Sequence, residues 1–331
     1  MNELLLRDAR MIVTEFIKIK KGELVSIFCD DARRDEASAL ALAADEAGGN
    51  VIVVDISRQV ADLLTGDEFF IPPAPHLLGA MEGCNVGIFV VDETYAFRLD
   101  HKIYKVITTS ETRSFFSIDP GMGTWRFTKA DLEEVQTRSE KLLTAINGGN
   151  DVRVTTKKGT DLRLKLTGRE CLYVSAVPWR GLESVYPVPL WGELNWAPIE
   201  DQTYGVVVSD GLSEATEKLK DVAGPVTMTI EAGRVVKITG ETADAEEWRK
   251  ILATDANSNV VGEFGVGANH KALFATQSEK AMLGTIHLGF GENKLYPGGL
   301  NRSLIHVDAG VRDVTIEVDG RVVVKDGAVV I

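Results

Sequence analysis

Three cysteines in 331 residues, Cys29, Cys84 and Cys171, stand far apart and in odd number. They exclude a disulfide scaffold and a Cys-x-x-Cys motif, and they read as reduced, buried thiols of a cytoplasmic protein. Long apolar runs are also missing, and no stretch reaches the roughly 20 residues that cross a bilayer. The start of the chain, Met-Asn-Glu-Leu-Leu-Leu-Arg, lacks the basic region and cleavage site of a signal peptide and reads as a helix start. Positive charge is short: 36 Lys and Arg against 49 Asp and Glu leave a formal net charge of −13. Without a concentrated basic patch, nucleic acid is excluded as a partner. Histidine is scarce too, at five in the chain, so where the histidines fall is informative.

What is present is the composition of a globular protein, 44% hydrophobic and 26% charged, in a chain long enough for two domains. Residues 1–148 alternate helix-like and strand-like patterns. Helices are expected over 3–20 and 34–47, with strands at 24–28, 51–55, 86–91 and 105–107. Short apolar runs between amphipathic helices predict a three-layer α/β domain on a mainly parallel sheet. A capping box at Thr128 and Asp131 opens a further helix that runs to Ala145, and Gly148-Gly149-Asn150 ends it. From 149 to 331 the texture is strand-rich, with hairpins at 152–166 and 226–238, a helix at about 243–253, and Asp319-Gly320 and Asp326-Gly327 as type I′ turn signals. That half is expected to be an α+β domain.

The chemistry concentrates in the second half. His306 and Asp308 are two residues apart, so in a strand they leave the same face while Val307 turns away. His287 lies in Gly-Thr-Ile-His-Leu-Gly-Phe-Gly, residues 284–291. Two imidazoles and a carboxylate are a common ligand set for a catalytic divalent metal. Glu193 follows Gly192, Glu263 follows Gly262, and Glu279 precedes Lys280. Glycine beside a ligand lets the backbone approach a site closely. Together Glu193, Glu263, Glu279, His287, His306 and Asp308 would suffice for two ions sharing a bridging carboxylate and a hydroxide, the apparatus of amide hydrolysis.

Other histidines read as structural or solvated: His76 after a Pro-rich stretch, His101 on a charged helix face, His270 in a loop. The Gly262–Gly267 run has glycines in the order G-x-x-G-x-G, late in a strand-rich half, and so fails as a dinucleotide loop. Trp125, Trp179, Trp191 and Trp196 are core candidates, and Trp191 or Trp196, flanking Glu193, could instead line a pocket for an apolar or aromatic ligand.

These stretches, read together, resemble the M29 (aminopeptidase T) family of metal-dependent exopeptidases. The likeness rests on Gly-Glu-x4-Pro from Gly192, Gly-Glu-x-Gly-x-Gly-x-Asn to Asn269, Gly-Thr-x-His from Gly284, and Gly-Gly-x-Asn-x-Ser-x-x-His-x-Asp to Asp308. It implies that Glu193, Glu263, Glu279, His287, His306 and Asp308 hold Zn, Co or Mn, with two ions possible. It also implies hydrolysis of an amide beside a free amino group by a metal-bound hydroxide. Glu193 or Glu263 would move the proton. A related branch, the 2,5-dihydroxypyridine 5,6-dioxygenases, holds one Fe(II) through two histidines and an aspartate, and His287, His306 and Asp308 would supply that triad. Ring cleavage of a hydroxylated pyridine is therefore the alternative, and a non-catalytic binding protein on the same fold is a second one. The family also places a tyrosine soon after the ligand histidine, near Tyr296, and its members imply a homodimer acting on a small molecule or short peptide.

Overall fold

The computed structural model describes residues 2–61, 69–70, 73–91, 112–117, 122–123, 127–176, 185–187, 191–215 and 220–331. The expected strand at 105–107, His101, Trp125 and Trp179 lie outside the described residues. By compactness the chain divides into residues 1–133 with 175–190, and residues 134–174 with 191–331. No helix among the described residues is long and apolar enough to cross a membrane.

The first unit is built on a parallel sheet of β1 (Leu24–Cys29), β2 (Asn50–Asp55), β3 (Val86–Val90) and β4 (Arg113–Phe116), in the order β2-β1-β3-β4. All five residues of β3 and all but the first of β1 are buried, as strands covered on both faces must be. Phe28, Phe89 and Phe116 sit in register on three neighbouring strands and stack with ring centroids 4.8 Å apart at each step. Such stacking adds about 1 kcal/mol per pair beyond area burial. Helices α1 (Glu3–Met11), α2 (Arg34–Glu46) and α3 (Pro75–Glu82) complete the α/β pattern. The first helix is shorter than the apolar pattern predicts. It continues as a π-helical segment, Ile12–Ile17, and stops where Lys18 enters the left-handed region at φ 53°.

Helix α4 (Lys129–Ile146) opens on the expected capping box: the amide of Thr128 donates to Asp131 Oδ2 (2.8 Å) and the amide of Asp131 to Thr128 Oγ1 (3.2 Å). The second unit carries α5 (Ala243–Ile251) and strands β5 (Asp151–Thr155), β6 (Asp161–Lys165), β7 (Leu172–Ser175), β8 (Glu193–Trp196), β9 (Tyr204–Ser209), β10 (Leu212–Ser213), β11 (Lys220–Asp221), β12 (Val226–Glu231), β13 (Arg234–Thr239), β14 (Val261–Gly267), β15 (Ile286–Gly291), β16 (His306–Val311), β17 (Thr315–Val318), β18 (Arg321–Lys325) and β19 (Ala328–Val329). One sheet has the order β13-β12-β9-β6-β5-β17-β18-β19, and the other runs β11-β10-β16-β15-β14-β8-β7. The two Asp-Gly turns that close the first sheet have both residues at positive φ (48° and 83°; 47° and 80°), the type I′ geometry their sequence calls for. The architecture is thus a mainly parallel α/β part and an α+β part, as the hydrophobic patterns predict.

In the second sheet, β8, β14, β15 and β16 are antiparallel neighbours, and paired residues share a face. Leu194, Trp196, Phe264, Val266, Leu288 and Phe290 lie on one face, and each is at most 1% exposed. Trp196 packs on Phe264 across the strands, and Trp248 of α5 meets Phe290 edge-on at 5.7 Å. The opposite face carries the candidate ligands.

Candidate metal centre

On that opposite face every candidate ligand is paired with a glycine. Glu193 stands opposite Gly267, and Glu263 and Asp308 both stand opposite Gly289. His287 is flanked by Gly265 and Gly310, and His306 faces Gly291. A Cβ at Gly265 would lie 1.9 Å from the His287 ring, and one at Gly289 would lie 2.7 Å from Glu263 Oε2 and 2.8 Å from Asp308 Oδ1. The side chains therefore lean across their neighbours' bare backbone and converge. Gly262 marks a β-bulge between Val261 and Glu263 that turns Glu263 onto the polar face.

The convergence is tight. His287 Nε2 lies 3.0 Å from Glu193 Oε1 and 3.2 Å from Glu263 Oε1. His306 Nε2 lies 2.9 Å from Glu263 Oε2 and 3.5 Å from Asp308 Oδ1. Two triplets of donors are close enough to hold an ion, Glu193–Glu263–His287 and Glu263–His306–Asp308, and Glu263 belongs to both. His287, His306 and Asp308 thus meet through Glu263 and do not form a separate triplet of their own.

Three buried carboxylates on one face repel each other and are costly to desolvate. Burial alone would lower the pKa of both histidines, but the carboxylates outweigh it. His306 is held up at about 9 by Glu263 and Asp308, and His287 is raised well above its usual value by Glu263 and Glu193. Burial would raise Glu263, yet the two imidazoles push it far below the usual carboxylate range. The site thus exists as alternating positive and negative groups when protons serve as its cations. A divalent ion can take over that role and release the protons.

The surroundings fit such an ion. The Nδ1–H of His306 donates to the backbone carbonyl of Glu292 at 2.7 Å, which leaves Nε2 as the ligand atom. Asp308 Oδ1 is buried and makes no hydrogen bond. The indole Nε1 of Trp191 donates to Glu193 Oε2 and fixes that carboxylate. The Tyr296 hydroxyl is 3.2 Å from His306 Nε2. Its pKa is raised well above normal by burial and by the charges of Glu263 and Asp308, so it is a proton donor at the edge of the cluster.

Of the six expected ligands, the structure brings together Glu193, Glu263, His287, His306 and Asp308 and leaves Glu279 out. Glu279 Oε1 pairs instead with the Arg312 guanidinium (2.8 Å to Nη2) and accepts the amide of Leu212, while Oε2 accepts the amide of Ala275. The next residue takes the inward position: Lys280 Nζ lies 2.7 Å from Asp308 Oδ2 and 2.8 Å from Glu214 Oε1. Sequence reasoning missed Lys280 and Glu214, because a Ser-Glu-Lys run looks like solvated surface. His270 stays away from the cluster, 3.8 Å from Glu134 and 24% exposed, and His76 lies on the exposed surface of α3. Trp191 and Trp196 are both buried, Trp191 against Glu193 and Trp196 on the apolar face.

No curated protein sequence matches this chain. Among solved structures, a 2,5-dihydroxypyridine dioxygenase from Pseudomonas putida KT2440 is similar, with a TM-score of 0.75 at 17% identity over 98% of this chain and 96% of that one. Wild-type AmpT from Thermus thermophilus has a TM-score of 0.65 at 18% identity, covering 99% of each chain. These likenesses show a shared fold. They do not single out the M29 branch, to which the sequence motifs point first. The family described as 2,5-dihydroxypyridine 5,6-dioxygenase (NicX) matches residues 8–331. Since that match spans almost the whole chain and its donor cluster suits a divalent cation, the protein is a metal-dependent enzyme and belongs to the NicX family.

Proposed function

We propose that this enzyme is an Fe(II)-dependent dioxygenase that opens the ring of a hydroxylated pyridine or a similar small aromatic. The observation that carries the reading is the dioxygenase family match over residues 8–331. The donor set supports it: two imidazoles and an aspartate are the ligand chemistry of ferrous oxygenases. His306 and Asp308 would hold the iron together with Glu263, the triplet whose donor atoms lie close enough to share an ion, and His287 meets them through Glu263. Bound ferrous iron supplies the redox chemistry by which dioxygen is added to an electron-rich ring.

The protein groups have separable roles. Glu263, in contact with both imidazoles, holds His287 and His306 in place around the centre. The Tyr296 hydroxyl, protonated at neutral pH, donates a hydrogen bond toward the reacting oxygen atoms. Glu193, anchored by Trp191, keeps His287 aimed at the centre. The apolar strands behind the site exclude bulk water and strengthen these interactions.

One feature supports a second reading. The two donor triplets share Glu263, which is the layout for two ions bridged by a carboxylate, and such a pair hydrolyses amides through a bound hydroxide. The two readings separate by metal stoichiometry in anaerobically purified protein. One iron per chain with oxygen uptake on 2,5-dihydroxypyridine supports the dioxygenase. Two Zn, Mn or Co ions per chain with release of amino-terminal residues from short peptides would overturn it in favour of the peptidase.

A further inference from the structure

The three carboxylates of the cluster differ in how many oxygens they leave for a cation. Glu263 turns both toward imidazoles. Glu193 has Oε2 engaged by the Trp191 indole. Asp308 has Oδ2 engaged by Lys280, whose side chain is 5% exposed on the 3-10 turn Gln277–Ala281. The grip on Asp308 is doubled from behind: Glu214 Oε2 accepts the backbone N–H of Asp308 at 3.0 Å while Glu214 Oε1 pairs with the same ammonium and accepts Gln277 Nε2 at 3.0 Å. Only Oδ1, without a hydrogen bond and 3.5 Å from His306 Nε2, is left to the site.

We propose that Lys280 is a positioning residue that restricts Asp308 to one cation-facing oxygen, Oδ1. Taking an ammonium out of water is costly and is tolerated where carboxylates pair with it closely. Here the charge also separates Asp308 from Glu214, two carboxylates that would otherwise face each other across the turn. A carboxylate that chelates through both oxygens fills two positions around a small ion, and one held to a single oxygen fills one. The difference is an open position for substrate or dioxygen.

The inference rests on the metal-centre reading, and cobalt(II) tests both at once. Full-length protein is loaded with cobalt, whose visible absorption weakens as coordination number rises. In Lys280→Met the bands should fall by about twofold as Asp308 closes onto the ion through both oxygens, because geometry is what the spectrum reports. Unchanged bands in Lys280→Met overturn the proposal and leave the metal centre standing. Absence of cobalt bands in the unmutated protein overturns the metal centre and the proposal with it. Should Lys280→Met fail to fold, Lys280→Met combined with Glu214→Gln removes the opposed charge, and its spectrum decides by the same criterion.

Discussion

The two faces of the β8–β14–β15–β16 sheet share one backbone and alternate along it residue by residue, yet they are built on opposite principles. The apolar face is filled by large side chains, Leu194, Trp196, Phe264, Val266, Leu288 and Phe290, that need nothing but each other. The polar face sets every large side chain opposite a glycine and packs carboxylates against imidazoles at 2.9 to 3.2 Å. One face provides burial energy, and the other spends conformational freedom and desolvation to preorganise a cation site. Stability and function are therefore separable by the parity of a residue in its strand. Substitutions on the two faces should fail in different ways.

The largest effect is expected on the polar face. His306→Ala should abolish turnover and weaken metal binding by about 100-fold or more, since even partners one step removed from a metal cost 10- to 100-fold. The metal-free protein should also melt lower, because Glu263 and Asp308 lose the cationic ring that lies against both. Metal content by mass spectrometry and a thermal melt of the metal-free protein check both halves, and a variant that keeps its metal would break the assignment. The mirror case is Phe264→Ala on the apolar face, expected to cost roughly 3–5 kcal/mol of stability. Whatever fraction remains folded should bind as many ions per chain as the unmutated protein. A lower ratio would mean that the faces are not independent.

How much of this contrast was legible in the sequence depends on whether local spacing or remote partners set the outcome. The parallel α/β half was readable from its apolar runs, as at Val86–Val90, and the I′ turns from Asp319-Gly320 and Asp326-Gly327. The His306-x-Asp308 pair was readable because a strand puts alternate residues on one face, and the Gly-Glu pairs because glycine beside a ligand lets the backbone come close, whereas the glycines opposite the ligands, such as Gly267 and Gly289, are identified only by the strand register. The turn Gln277–Ala281 was not readable in the same way. A 3-10 turn has no face that periodicity can assign, and which of Glu279 and Lys280 points inward is decided by Arg312 and Asp308, far along the chain. Tyr296 and Trp191 were singled out by their place near a ligand, but the single polar atom each turns toward the cluster is set by tertiary packing.

A smaller effect is expected where the faces meet at the backbone. Gly265→Ala introduces a Cβ that would sit 1.9 Å from the His287 ring, so the imidazole must swing away or the strands must part. Overpacking of this kind costs roughly 1–3 kcal/mol. If the polar face is organised for a cation, the same variant should lose metal affinity more than stability. Equal loss of both would mean that Gly265 serves packing alone.

The smallest effect needs no substitution, only a change of pH. In the metal-free protein the His306 pKa is raised from 6.5 to about 9, against the lowering effect of burial, by Glu263 and Asp308. A raised folded pKa means that folding favours the protonated ring. Its stabilisation is complete below pH 6.5, erodes above it, and is gone once pH has passed through about 9. The metal-free protein should therefore melt at progressively lower temperature across that window. The metal-loaded protein should not follow, because its cation does not leave as pH rises. Over the same window metal binding should strengthen, as fewer protons have to be expelled. Melting temperatures of both forms between pH 6 and pH 10, taken side by side, test the difference, which the Phe264→Ala variant should retain and His306→Ala should lose. Parallel curves for the metal-free and loaded forms would show that protons and cation do not compete for the same face.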